Sequence, residues 1–138
     1  MGNKWIDSKE AVRQNSVVQV SDYATVVYSS EAQVKIGDFP KGALLLYHIV
    51  EIETTFNDSG TDLLLIGTAG TADAFETDFA LSQTGSGAVY VTAILGATMK
   101  LTADTAVYCN FNGENNNASA GKAYVAIMWV PTWWSNLA

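Results

Sequence analysis

The amino-acid sequence predicts an all-β fold, an antiparallel two-sheet sandwich of jelly-roll type with extended arms at both ends. Three observations carry that expectation. The stretch 44–56 alternates with a period of two, the signature of a strand whose two faces meet different surroundings. About nine short runs rich in Val, Ile, Thr, Tyr and Phe are spread along the chain, as a pleated, half-buried surface requires. Turn residues recur about every eight to twelve positions, the spacing of a sandwich of short strands. One domain spans 1–138, with an N-terminal arm at 1–15, the sandwich at 16–131 and a C-terminal tail at 132–138.

The arm is polar, and only 7–14 suits a helical turn or two, with Ser8 as its N-cap. SVVQV at 16–20 and ATVVY at 24–28 are β-branched runs separated by Ser21, Asp22 and Tyr23, and AQVKI at 32–36 follows. Gly37 to Pro40 punctuate the chain before the long strand. There Leu44, Leu46, His48, Val50, Ile52, Thr54 and Phe56 share one face, and Leu45, Tyr47, Ile49, Glu51, Glu53 and Thr55 the other. The first face reads as core; the second, from Tyr47 to Glu53, reads as a subunit contact. NDSG at 57–60 is a turn and TDLLLIGT at 61–68 returns from it, so the two strands are expected to form a hairpin. A small-residue loop at 70–75 leads to TDFAL at 77–81, and the glycines of 83–87 make a turn before strands at 88–95, 99–102 (MKLT) and 105–111. The loop 112–121 has too few apolar residues to pack, and KAYVAIMWV at 122–130 is the last strand.

Composition narrows the function. Hydrophobic residues make up 49% of the chain and charged residues only 15%, below the roughly 25% usual for soluble domains. Part of the apolar surface is therefore expected to be covered by a partner. The net charge is −7 and no two of the seven basic residues are adjacent; a phosphate backbone needs clustered cations, so no nucleic-acid partner is expected. No apolar run is long enough to cross a bilayer, and the first ten residues lack the apolar core of a secretion signal, so the expectation is no membrane and synthesis in the cytoplasm.

No catalytic, cofactor-binding or metal-ligating residue is expected. His48 has no nucleophile motif near it and sits on the apolar face, where a hydrogen-bonded structural histidine fits better than a general base. Cys109 alternates with Val107 and Phe111 and reads as a small buried hydrophobe. GTAGTAD at 67–73 lacks the Lys-Ser or Lys-Thr and the helix of a phosphate loop. Asp58, Asp62, Asp73, Glu76 and Asp78 fall in neighbouring loops without the spacing of a calcium-binding hand, and read as solvated. Glu51 and Glu53 lie side by side on one strand face and cannot flank a glycosidic bond. Asn57 and Asn117 match a glycosylation sequon, which carries no weight without a secretion signal.

The tryptophans are more informative. Trp129 belongs to the last strand and reads as core. Trp133 and Trp134 follow Pro131 in the tail, where they either fold back onto their own sandwich or insert into another chain.

Phe39-Pro40-Lys41-Gly42-Ala43, VEIETTF at 50–56, the turn 57–62, Leu65-Ile66-Gly67-Thr68, Leu101-Thr102 and AGKAYV at 120–125 resemble the small jelly-roll proteins that decorate or cement the capsids of tailed bacteriophages. The resemblance runs from Phe39 to Pro131; 1–33 and 132–138 fall outside it. It implies a virion structural protein that binds the outer surface of an assembled capsid and bridges neighbouring subunits. The implied partners are the major capsid protein and copies of itself, a homotrimer ahead of a homodimer, and the implied location is the capsid surface after synthesis in the host bacterial cytoplasm. The family brings no catalytic motif. From their placement in the terminal arms, Trp5 with Ile6, and Trp133 with Trp134, are expected to be the partner-binding residues, contacting capsid protein or a sister subunit. Two alternatives share the fold: another virion component such as a head-tail adaptor, tail or fibre part, separable by copy number per particle, and a carbohydrate-binding host-attachment module, separable by glycan binding.

Overall fold

The computed structural model describes residues 17–81, 86–113 and 117–131. Trp5, Ile6, Trp133 and Trp134, the arm and tail that carry them and the expected helical turn at 7–14 lie outside the described residues. Nine strands form among those described: β1 Gln19–Val20, β2 Ala24–Val27, β3 Val34–Phe39, β4 Leu44–Thr54, β5 Asp62–Gly67, β6 Glu76–Ala80, β7 Val89–Ala93, β8 Thr105–Gly113 and β9 Lys122–Val130. β9 lies between β4 and the short strands β1 and β2, and β4 lies between β9 and β7, which completes the first sheet; the second sheet runs β3-β8-β5-β6. Every pairing is antiparallel.

The pairs β2·β9, β3·β8, β4·β7 and β5·β6 are successive rungs of one two-stranded ribbon whose tip is β5–β6. Alternate rungs fall in opposite sheets. That is the jelly roll, and it is the expected all-β two-sheet sandwich. Rolling the ribbon encloses the core: Val50 and Ile52 of β4, Leu64 and Ile66 of β5, Val107, Cys109 and Phe111 of β8, and Ala123, Val125 and Ile127 of β9 are buried. Burying a branched or aromatic side chain contributes about 1.5–3 kcal/mol, so this set dominates stability. Trp129, expected in the core, is partly buried and packs edge-on against the buried Phe39 at the core's margin, ring centroids 4.9 Å apart.

Three local expectations change. First, β4 and β5 form no hairpin, because they are consecutive segments of one leg of the ribbon and belong to different sheets. Phe56 is buried at the corner between them, and the chain crosses the core edge through 57–61. The turn signal was real, but a turn residue cannot specify whether the next strand pairs with the last or crosses to the other sheet. Second, the alternation of β4 changes phase. Leu45 opposes Trp129 and Tyr47 opposes Met128, so Leu46 is the extra residue of a bulge. Leu45 is therefore buried in phase with His48, not Leu44 and Leu46. Third, 99–102 is not a strand. Gly96–Met99 form a short 3-10 helix, Lys100 makes one isolated bridge to Leu44, and Leu101 is buried with its backbone bonded to Gly42 and Ala43.

The turn into β4 behaves as its sequence requires. The Ala43 N–H donates to the Pro40 carbonyl, and Gly42 sits at φ 89°, a conformation that glycine adopts without penalty.

Candidate functional site

His48 points into the core and is fully buried. Its Nε2 donates to Glu76 Oε2 at 2.7 Å, and its ring meets Phe79 edge-on at 5.9 Å. The bond joins β4 of one sheet to β6 of the other. Nδ1 has no partner, and a bare lone pair there costs less than a buried unpaired N–H, which selects the tautomer protonated at Nε2. Burial alone would push the Glu76 carboxyl up; hydrogen bonds from the Asp78 backbone and from His48 outweigh it and hold the group below its ordinary range. A ring sealed in this way is a structural histidine, as expected. Cys109 is likewise sealed, and burial pushes its thiol up to about 12, which leaves no thiolate for chemistry.

The acidic residues divide. Asp58 and Asp62 are buried, contrary to the solvated reading, because they organise the corner between β4 and β5. Asp62 Oδ2 accepts from the Asp58 N–H at 3.1 Å, and Asp58 accepts from the N–H groups of Gly60 and Asn117 at 2.8 and 3.2 Å. Asn57 Oδ1 accepts from the N–H groups of Ser119 and Ala120, so side chains of the first corner cap the backbone of the β8–β9 loop. Among the described residues no group of three or more His, Cys, Asp or Glu side chains converges to hold a metal ion.

The surface that remains is the outer face of the β9-β4-β7 sheet. Register places Val20, Met128, Tyr47 and Ala93 in one row, Ala126, Ile49 and Val91 in the next, and Thr25, Tyr124, Glu51 and Val89 in the third. Tyr23 stacks edge-on against Tyr124 at 5.0 Å, and with Ile49, Glu51 and Ala126 the two rings line a shallow groove of about 250 Å³. At the rim, the Tyr124 hydroxyl donates to Glu53 at 2.9 Å and Lys122 approaches the same carboxylate at 3.3 Å. The tyrosine hydrogen bond and then the lysine hold Glu53 below its ordinary range, and Glu53 in turn raises Lys122 and Tyr124. An apolar centre with a polar, charged rim is the anatomy of a protein contact surface.

The face expected at Tyr47 to Glu53 is thus present and exposed. The expected partner-binding residues Trp5, Ile6, Trp133 and Trp134 lie outside the described residues. Tyr23, Tyr124, Val89 and Val91 were not singled out from the sequence. Tyr124, Val89 and Val91 alternate within their own strands and Tyr23 lies in the break between β1 and β2, but only register across β9, β4 and β7 brings them onto one face.

No family model matches the chain, and no curated protein matches it. Solved structures do. A chain in the capsid asymmetric unit of cyanophage Pam1 is 23% identical with a TM-score of 0.58, over 82% of this chain and 84% of that one. A chain in the acid-stable capsid of Helicobacter pylori bacteriophage KHP30 is 15% identical with a TM-score of 0.63, over 84% and 89%. One in the capsid of Ralstonia phage GP4 is 14% identical with a TM-score of 0.53, over 86% and 85%. At such identities the likeness is one of fold: this chain shares its sandwich with all three.

Proposed function

We propose that this protein is a non-catalytic structural component of a bacteriophage virion that binds the outer surface of the assembled capsid and holds neighbouring capsid subunits together. The observation that carries the reading is the likeness of nearly the whole sandwich to chains from three phage capsids, over 82%, 84% and 86% of its length. The apolar, tyrosine-rich outer sheet face supports it, since that face suits burial against protein. Its partners are the major capsid protein and copies of itself, and Trp5, Ile6, Trp133 and Trp134 act as anchors. A protein that binds the assembled shell but not free subunits shifts assembly by mass action.

The test adds purified protein to shells assembled without it. Saturable binding to shells, absence of binding to free capsid subunits, and a higher shell melting temperature are expected. Failure to bind shells removes the proposal, and glycan binding in place of shell binding would point to the host-attachment module.

A further inference from the structure

A sheet edge presents unpaired backbone N–H and C=O groups, and proteins blunt edges with charges, bulges, prolines or breaks. Four edges end the two sheets here. β3 carries Lys35 and Asp38, ion-paired at 2.6 Å, and a bulge between Lys35 and Gly37. β6 carries Glu76 and Asp78. The β1/β2 edge is broken into strands of two and four residues around Asp22. β7 has none of these devices. Val89-Tyr90-Val91-Thr92-Ala93 is uncharged, pairs with β4 in unbroken register, and among the described residues has no partner on its other side. Val89 and Val91 are 58% and 56% exposed.

The hydrogen-bond phase of β7 is fixed by its ends. Ile52 donates to the Ala88 carbonyl and Ile94 to that of Leu46. Because bonding alternates along an antiparallel ladder, Tyr90 and Thr92 turn their backbone groups toward β4, and Val89, Val91 and Ala93 turn theirs away.

We propose that two copies of this chain pair antiparallel through β7, about a two-fold axis at Val91. In that register Val91 faces Val91 of the second copy and Val89 faces Ala93, so every outward N–H and C=O of the edge finds a partner. No other register uses all three. A second copy is the occupant because β7 is self-complementary in this way and because it is, among the described residues, the one uncharged edge of a chain carrying −7; two copies would bring acidic groups together at β6 and at the break around Asp22, and at β3 the Lys35–Asp38 pair and the bulge interrupt the edge. The outer row of Val89, Val91 and Ala93 would also join its counterpart, and the apolar face around Tyr47 and Ile49 would run unbroken across both copies. A two-fold contact of this kind puts pairing ahead of the three-fold assembly implied by the resemblance, and it stands independently of the virion role.

The test is register-specific cross-linking of the full chain. Directly opposed Cα atoms in a hydrogen-bonded antiparallel pair lie about 5.5 Å apart, within disulfide reach. V91C should become a covalent two-copy species under mild oxidation, while V89C, which faces Ala93, should not; Cys109 is buried in both. V91K, at an exposed outward position, should convert a two-copy native mass to a one-copy mass with unchanged circular dichroism. A one-copy or three-copy mass for the unmodified chain with no V91C cross-link overturns the proposal, as does V89C cross-linking as readily as V91C.

Discussion

At the scale of single residues, two carboxylates, the part-buried Glu76 and the buried Asp62, act on stability with opposite signs. Glu76 accepts from His48 across the sheets and is held below its ordinary range. A depressed carboxyl contributes stability that is present above its unfolded value and is lost as pH falls through the folded one. E76Q is therefore expected to cost about 1–2 kcal/mol at neutral pH, the scale of a charge-assisted hydrogen bond, and progressively less in acid; an equal loss at pH 7 and in acid would contradict this. Asp62 is the reverse case. Burial is the largest influence and pushes it up, the Asp58 N–H pulls it down, and the Asp58 charge pushes it further up, with a net rise. A raised carboxyl favours folding below its unfolded value, and that advantage is lost as pH rises through the folded value. Its Oδ1 is buried without a partner, so the ionised form is costly at neutral pH. D62N keeps an oxygen for the Asp58 N–H and removes the charge. It is expected to raise stability by about 1 kcal/mol at pH 7, with the gain shrinking in acid, and chemical denaturation at several pH values reads both effects. His48 was legible as a buried, bonded histidine, but its partner is on the other sheet and no local pattern could name it.

At the scale of elements, most strands of the described sandwich were legible because period-two alternation and β-branched runs are local properties. What was not legible was local sequence acting through distant geometry. The 44–56 and 61–68 strands looked like a hairpin because turn residues separate them, yet Phe56 is drawn into the core and takes the chain across to the other sheet. The Leu46 bulge escaped notice because alternation continues on both sides of it and only the register with β9 exposes the phase change. The same corner yields a sharp prediction at Gly121. That residue sits at φ 150°, its carbonyl accepts from Tyr28, and a Cβ there would run into the Phe56 ring. G121A must displace a fully buried aromatic or shift the start of β9, which pairs with both β2 and β4. Overpacking of this sort costs about 1–3 kcal/mol before backbone strain is added. A melting temperature within a degree of the unmodified protein would show that the corner can yield.

At the scale of the whole molecule, the composition, the outer face and the chain ends pose one question: what covers the apolar surface. The sandwich supplies a rigid body whose charged devices guard three of four edges, and β9 ends beside Leu44. From that point the tail carries Trp133 and Trp134. If these anchor the protein to a shell, as proposed, their loss acts on binding and spares folding. W133A/W134A should then leave the melting temperature of the isolated chain unchanged while lowering its occupancy on shells at fixed concentration. Truncating a buried aromatic anchor typically costs about 2 kcal/mol or more, so a weakening of at least about thirty-fold is the expected scale. Shell melting should fall toward that of undecorated particles in step with occupancy, because stabilisation follows the bound fraction. W5A/I6A is expected to act in the same direction through the other arm. Unchanged occupancy would remove the tail from the interface, and a lowered melting temperature with full occupancy would assign both tryptophans to their own sandwich, leaving the outer face of β9, β4 and β7 as the contact that remains.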